Sequence, residues 1–305
     1  MIISASRRTD IPAFYAEWFI NRIRAGYCTT PNPFHRQQVA RISLLPEEVD
    51  VIVFWTRNPR PLFPHLDELD QRGYRYYFQY TLLGYPCQID AKSPSRQAAI
   101  RTFQELAERI SPQRMIWRYD PIVFSKLTGS QYHTENYGRI AEALRGYTYR
   151  SVISVMDMYN KIRKRIAQVN QQGVGVIEHD GHFSPCYAAL MNAIAQTARA
   201  NDMGIFSCSE ECDLAGYGIL AGKCIDDTYI EDTFDIEVNH KKDPGQRAAC
   251  GCVVSKDIGM YDTCVYGCPY CYATGNFERA KANFEAHNPT SSTLIGWHEP
   301  VEEKI

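Results

Sequence analysis

Six short runs of apolar, β-branched and aromatic residues, at 2–5, 51–55, 76–80, 115–119, 152–156 and 204–207, alternate with segments of helical apolar period. Such runs lack the polar alternation of a half-exposed strand, so each needs cover on both faces. Strands separated by helices run parallel, because a parallel return requires a crossover long enough to hold a helix. The pattern predicts an α/β fold, a parallel sheet covered by helices. Six units within residues 1–210 suit a partial (β/α)6-type barrel. A doubly wound open sheet meets the same spacing, since strand order is not written in it.

The intervening helices have readable starts. Ile11-Pro12 opens one whose apolar face carries Phe14, Trp18, Phe19 and Ile23. Ser93-Pro94 supplies an N-cap and a proline at the first helical position, ahead of Ile100, Phe103, Ala107 and Ile110. Ser184-Pro185 repeats that start before Leu190, Met191 and Ile194, and a shorter helix is expected over 135–144. Residues 27–45 break the rhythm. Asn32-Pro33-Phe34 followed by the alternation Val39 to Leu44 reads as an inserted loop or hairpin.

With 45% hydrophobic and 12% aromatic residues the chain is not disordered, and no apolar run approaches the ~20 residues of a membrane span. The first ten residues show no basic stretch followed by an apolar one, so a cytoplasmic protein is expected. A net charge of -2 gives no global field for nucleic acid.

Of eleven cysteines, Cys28, Cys87 and Cys186 are scattered and eight fall between Cys208 and Cys271. In a reducing compartment that clustering points to metal or redox chemistry rather than disulfides. Beyond Cys208 the strand–helix rhythm fails. Residues 1–210 are therefore expected as a barrel-like domain and 211–305 as a cysteine-rich segment packed on it.

In α/β barrels the working groups sit where strands end. Each strand here runs into polar residues: Ser6-Arg7-Arg8-Thr9-Asp10, Thr56-Arg57-Asn58, Gln79-Tyr80-Thr81, Arg118-Tyr119-Asp120, Ser154 to Asp157, and Ser207-Cys208-Ser209-Glu210. Arg8 with Asp10, Arg57 and Arg118 are the candidates to hold an anionic or zwitterionic ligand, since a guanidinium pairs with a carboxylate or phosphate through two hydrogen bonds. Asp10 is equally placed to cap the helix at Pro12, and a shift of one residue would turn Arg118 to the other face. Lys161 with Arg163-Lys164-Arg165 reads as a solvated helix face, with phosphate contact the alternative. His35, His179, His182 and His240 lack ligand spacing, and Tyr74, Tyr76, Tyr77 and Tyr80 read as core, with Tyr80 at the strand end also able to reach a ligand.

The sharpest motif is Cys264-Val-Tyr-Gly-Cys268-Pro-Tyr-Cys271. Three thiols in eight residues can converge on one metal centre, with Gly267 permitting the turn and Pro269 restricting the path. This Cys-x3-Cys-x2-Cys pattern, with an aromatic before the third Cys, resembles that of the radical S-adenosylmethionine enzymes. The stretch from Asp243 through Gln246-Arg247, Cys250-Gly-Cys252 and Asp257-Ile-Gly259 to Tyr261, together with Ser6-Arg-Arg-Thr-Asp10 and Val53-Phe-Trp-Thr-Arg-Asn-Pro59, resembles the DUF1848 family over nearly the whole chain.

The superfamily resemblance implies a [4Fe–4S] cluster on Cys264, Cys268 and Cys271, with one iron left for S-adenosylmethionine and Tyr270 beside the cofactor. It also implies a reductant such as flavodoxin or ferredoxin, and a 5′-deoxyadenosyl radical that attacks substrate. A structural zinc or an electron-transfer cluster normally takes four protein ligands, and Cys250 or Cys252 offers a fourth. This chain carries its motif near the C-terminus rather than after the first strand, so the cysteine-rich segment is expected to fold across the C-terminal rim of the strands. No Gly-Gly-Glu-like segment follows the second strand, which leaves the contact to the cofactor's amino group unassigned.

Five further cysteines suffice for a second [4Fe–4S] or zinc centre. Cys208, Cys224, Cys250 and Cys252 are the expected ligands, with Cys212 the alternate; free cysteines as buried small hydrophobes are the other reading. The motif loop also has some similarity to that of spore photoproduct lyase, a DNA-repair enzyme. The substrate is expected to be a small molecule or peptide, with nucleic acid the alternative.

Overall fold

A computed structural model describes residues 1–178, 185–210 and 212–300. In chain order the elements are β1 (Ile2–Ala5), α1 (Ile11–Phe14), α2 (Ala16–Ala25), β2 (Tyr27–Asn32), β3 (His35–Ser43), β4 (Val51–Thr56), α3 (Leu66–Gln71), β5 (Tyr76–Thr81), α4 (Arg96–Ile110) and β6 (Met115–Ile122). There follow α5 (Ser130–Leu144), β7 (Arg150–Val155), α6 (Asn160–Gln171), α7 (Pro185–Ala200), β8 (Gly204–Cys208), β9 (Leu220–Gly222), α8 (Asp227–Phe234), β10 (Lys256–Asp257) and α9 (Phe277–Glu285).

Eight strands form one parallel sheet in the order β10-β1-β4-β5-β6-β7-β8-β9. The six expected strands make its middle, and the mixed α/β class with helices flanking a large parallel sheet stands. Two strands were not anticipated. They are β9 and β10, of three and two residues, too short to show any period. Both come from beyond residue 210 and extend the sheet at its two edges. One backbone hydrogen bond, Val253 N to Ile225 O at 3.1 Å, joins the segments beside those edges.

The reason the strands are apolar throughout is visible in their packing. Alternate residues Ile3, Ile52, Phe54, Phe78, Trp117 and Ile153 meet the helices in the larger core. The residues between them, including Ile2, Val51, Val53, Tyr77, Ile116 and Val152, are covered by Ile225, Ile230, Val238 and Val253. Residues 27–43 form an antiparallel hairpin, β2 with β3, as the alternation predicted.

The structure changes several details. The helix opened by Pro12 is two helices, because Tyr15 leaves helical geometry and donates its hydroxyl to Thr263 O at 2.6 Å. The N-cap of α4 is Ser95, whose Oγ accepts from Ala98 N at 3.3 Å; Ser93 instead accepts from Arg57. Helix α5 starts at Ser130 rather than at 135. Tyr80 lies under α4, its hydroxyl donating to Ala99 O at 3.2 Å, so the core reading holds for all four tyrosines. The basic run does form a helix, α6, yet Arg165 is buried. His240 pairs with Asp227, while His179, His182 and Ser184 lie outside the described residues. Among the described residues no helix is long and apolar enough to cross a membrane.

Trp117 is fully buried, stacks on Tyr137 with ring centroids 4.5 Å apart, and donates Nε1 to Leu82 O at 3.0 Å. Trp117→Ala should therefore destabilise the fold by about 3–5 kcal/mol, read as a lowered urea midpoint.

Candidate functional site

Where β1 ends, the chain turns around one carboxylate from the far end of the sequence. Asp257 accepts from Ser4 Oγ (3.0 Å), Ser6 Oγ (2.6 Å) and Arg7 N (2.9 Å). The approach is close: a Cβ on Gly259 would stand 2.1 Å from Ser6 Oγ, so only glycine fits there. Arg8 donates Nη1 to Gly259 O at 3.3 Å and lies over the Tyr261 ring. Asp10 caps α1 by accepting from Ala13 N at 3.0 Å, and its other oxygen accepts from Arg57 N at 2.7 Å. Burial pushes its carboxyl up to about 7, against the pull of those two N–H groups.

Arg57, just past β4, is the hub of the rim. Its guanidinium donates to Asp90, to Ser93 Oγ at 2.6 Å and to the Tyr270 hydroxyl at 2.6 Å. Tyr270 in turn donates to Asp90 at 2.9 Å, and the Cys268 thiol donates to the other Asp90 oxygen at 3.3 Å. Burial alone would raise the Asp90 carboxyl, but Arg57 beside it holds it below the usual carboxylate range. Residues 57, 90, 93, 268 and 270 thus form one buried polar knot.

The motif loop is fastened from several sides. Cys271 N donates to Cys268 O at 3.1 Å, and Gly267 takes φ +72°, the left-handed conformation that the turn needs. Arg165, from α6, donates to Cys271 O (2.6 Å) and to Thr274 O. Lys92 donates to Val265 O at 3.3 Å, and the Tyr272 hydroxyl to Arg7 O at 3.0 Å. Cys268 is buried, and Cys264 and Cys271 are half-buried. Burial, with Cys271 nearby, pushes the Cys264 thiol up to about 12, and burial likewise raises Cys268 despite Arg57. Burial thus favours the neutral form of Cys264 and Cys268, and a metal cation bound beside them would favour the thiolate. Beside the knot lies a cavity of about 400 Å³ whose lining includes Arg57, Leu82, Tyr85, Asp90, Ser93 and Arg96. That is the size class of small-molecule sites, about 300–1,000 Å³.

The other expected thiols meet on the opposite face of the sheet. Cys208 Sγ and Cys224 Sγ are 2.7 Å apart, and Cys250 and Cys252 are buried in the same cluster. Gln79 Nε2 donates to Cys224 O at 2.6 Å, and Ile225 N to Cys252 Sγ at 3.3 Å. The hydrogen bond from Cys252 holds the Cys250 thiol down at about 7. Cys212 is half-buried. Arg118 points to this group: Nη1 donates to Cys224 Sγ and Gln79 Oε1, both at 3.2 Å, and Nη2 pairs with Asp120. Among the described residues, no group of three or more His, Cys, Asp or Glu side chains is arranged to hold a metal ion.

Four residues at these sites were not singled out from the sequence: Arg7, Asp90, Arg165 and Asp257. Arg165 was lost in a basic run, and Asp90 sits in a polar loop with no spacing to mark it. Asp257 lies within the stretch similar to the DUF1848 family, which was its one available signal.

A family model described as "Domain of unknown function (DUF1848)" matches residues 2–273. No curated protein and no solved structure matches the chain.

The Asp10 carboxyl gives the rim a testable pH dependence. Unfolded, it ionises near pH 4; folded, near pH 7, so between about pH 4 and about 7 the folded state binds the extra proton. Its contribution to stability therefore falls as pH rises through that window, by at most about 1.4 kcal/mol per pH unit. Asp10→Asn keeps the helix cap and removes the titration. Urea midpoints followed across that window should fall more steeply for the wild type than for the variant.

Proposed function

The chain belongs to the DUF1848 family, and from that premise we propose that it is a radical S-adenosylmethionine-type iron–sulfur enzyme. In this reading the fold is a partial (β/α)6-type barrel with the cysteine-rich segment laid across the C-terminal ends of its strands. Cys264, Cys268 and Cys271 hold a [4Fe–4S] cluster.

The observation that carries the reading is the fastening of the three-thiol loop to the strand-end knot of Arg57, Asp90 and Tyr270, beside a cavity of small-molecule size. The donor set fits: three soft sulfurs in one loop suit iron–sulfur ligation. Cys250 and Cys252, the available fourth ligands, pack with Cys224 in a separate cluster across the sheet, which supports a three-thiol site. When bound with S-adenosylmethionine, such a cluster supplies the electron that cleaves the sulfonium to a 5′-deoxyadenosyl radical.

The chain's own part is to hold and shield. Asp90 fixes Arg57 and Tyr270, and with them the position of Cys268. Asp90 neutralises Arg57, and Arg96 on the same cavity lining supplies the positive charge that a ligand carboxylate would meet. Burial of the knot excludes water from the place where the reactive radical would otherwise be quenched. A cavity of about 400 Å³ and a net charge of -2 favour a small molecule or peptide over nucleic acid as substrate. The electron would come from a donor such as flavodoxin or ferredoxin.

Anaerobic reconstitution with iron and sulfide, followed by assay of S-adenosylmethionine cleavage under strong reductant, tests the proposal. Cleavage by the wild type is expected. Stoichiometric zinc without sulfide in protein purified free of air overturns it. Cys268→Ala should abolish cleavage, because each of only three ligands anchors one iron. Full cleavage by that variant would remove the triad assignment.

A further inference from the structure

We infer that Cys208, Cys224, Cys250 and Cys252 form a closed four-thiolate site for a thiophilic metal centre, held against the guanidinium groups of Arg7 and Arg118. The inference is independent of what the Cys264 loop binds.

The four thiols come from three segments: the end of β8, the turn after β9, and the approach to β10. Chain segments this far apart bring the four cysteines into one cluster on the face of the sheet opposite the larger core, with Cys208 and Cys224 in direct contact. Cys224, Cys250 and Cys252 are buried and Cys208 is half-buried. Two donors already point at sulfur, Arg118 Nη1 at Cys224 (3.2 Å) and Ile225 N at Cys252 (3.3 Å). Hydrogen bonds aimed at sulfur are what a thiolate ligand uses and what a neutral thiol has little need of.

The second observation is a buried donor without an acceptor. Arg7 Nη2 is buried and makes no hydrogen bond. The Arg7 guanidinium lies over Trp55, as does that of Arg118, at 5.5 and 5.1 Å from the ring centroid. Its charge is felt by Cys252 and Cys224 as well as by Asp257. A buried guanidinium edge with no acceptor is costly unless an anion stands beside it. Four thiolates around one zinc ion carry a net charge of about -2, and so do four thiolates around a [4Fe–4S] cluster in its oxidised state. Either centre offers Arg7 Nη2 an acceptor, while Asp257 and Asp120 already share the charges of Arg7 and Arg118.

The geometry asks for a small adjustment. Two ligands of one tetrahedral zinc stand about 3.8 Å apart for a bond of about 2.3 Å, so Cys208 and Cys224 separate by about 1 Å on binding. Cys208 pairs with Gly222 at the last rung of the β8–β9 ladder and Cys224 lies in the turn beyond it, so the movement falls at the end of the sheet edge.

The test uses the full chain bearing Cys264→Ala, Cys268→Ala and Cys271→Ala, prepared without air and loaded separately with cobalt(II) and with ferrous iron plus sulfide. Retention after desalting of one cobalt per chain with tetrahedral thiolate absorption, or of iron with equal sulfide, supports the site; the arm that gives full loading identifies the centre. Loss of that loading on adding Cys224→Ser and Cys252→Ser is expected, with circular dichroism confirming the fold. The wild-type triad background provides a second reading: Cys208→Ser with Cys252→Ser should lower the bound metal by one centre. Arg7→Met should weaken cobalt binding by about 10–100-fold, as loss of an outer partner does. No retention in either arm, loading indifferent to Cys224 and Cys252, or an intact mass showing a Cys208–Cys224 disulfide in reduced protein would each overturn the inference.

Discussion

The ion pair between Arg57 and Asp90 is what the strand-end rim depends on. Arg57 follows β4, Asp90 lies beyond β5, and neither is exposed enough for water to take over if the other is lost. A buried pair is worth keeping only when the remaining donors and acceptors are also met. Here they are: Asp90 takes hydrogen bonds from Arg57, Tyr270 and Cys268, while Arg57 also reaches Ser93 and presents its backbone N–H to Asp10. Two residues of the cysteine loop are thus held by the same carboxylate that neutralises the arginine. Loop position, charge compensation and the cavity wall rest on one contact.

Much of the sheet could be read in advance because double burial leaves a plain trace. The six long strands begin within two residues of where the apolar runs start, and the hairpin over 27–43 follows its alternation. The edges could not be read that way. Strands of two and three residues carry no period, and β10 pairs with β1 through a register, Ile3 with Lys256 and Ser4 with Asp257, that only the folded chain reveals.

The same limit governs the site. Cysteine spacing groups the thiols, but does not say what surrounds them. The sequence reading singles out Arg8 and passes over Arg7, yet the turn after β1 sends Arg8 to Gly259 and Tyr261 and Arg7 to Trp55, near the thiols. Past a strand end the period-of-two rule no longer fixes direction, and two adjacent arginines diverge. Ser93 shows a related effect: its sequence context is that of a helix cap, and Arg57 recruits it instead, leaving the cap to Ser95.

A parallel sheet gathers every strand's C-terminal end on one side, so polar residues there form a layer rather than scattered points. On the face opposite the helix-packed core, the layer passes from apolar Ile2, Val51, Val53 and Val152 to Ser4, Gln79, Arg118 and Cys208. Cys268, with Cys264 and Cys271 packed beside it, belongs to the core on the other face, whereas Cys224, Cys250 and Cys252 belong to this one with Cys208 against them. The sheet therefore divides the two groups of thiols. A thiol on one face cannot complete the ligand set on the other without crossing hydrogen-bonded strands. That separation is why three cysteines in one loop and four from three segments make two chemical problems, each with its own arginine: Arg57 for the first, and Arg118 with Arg7 for the second.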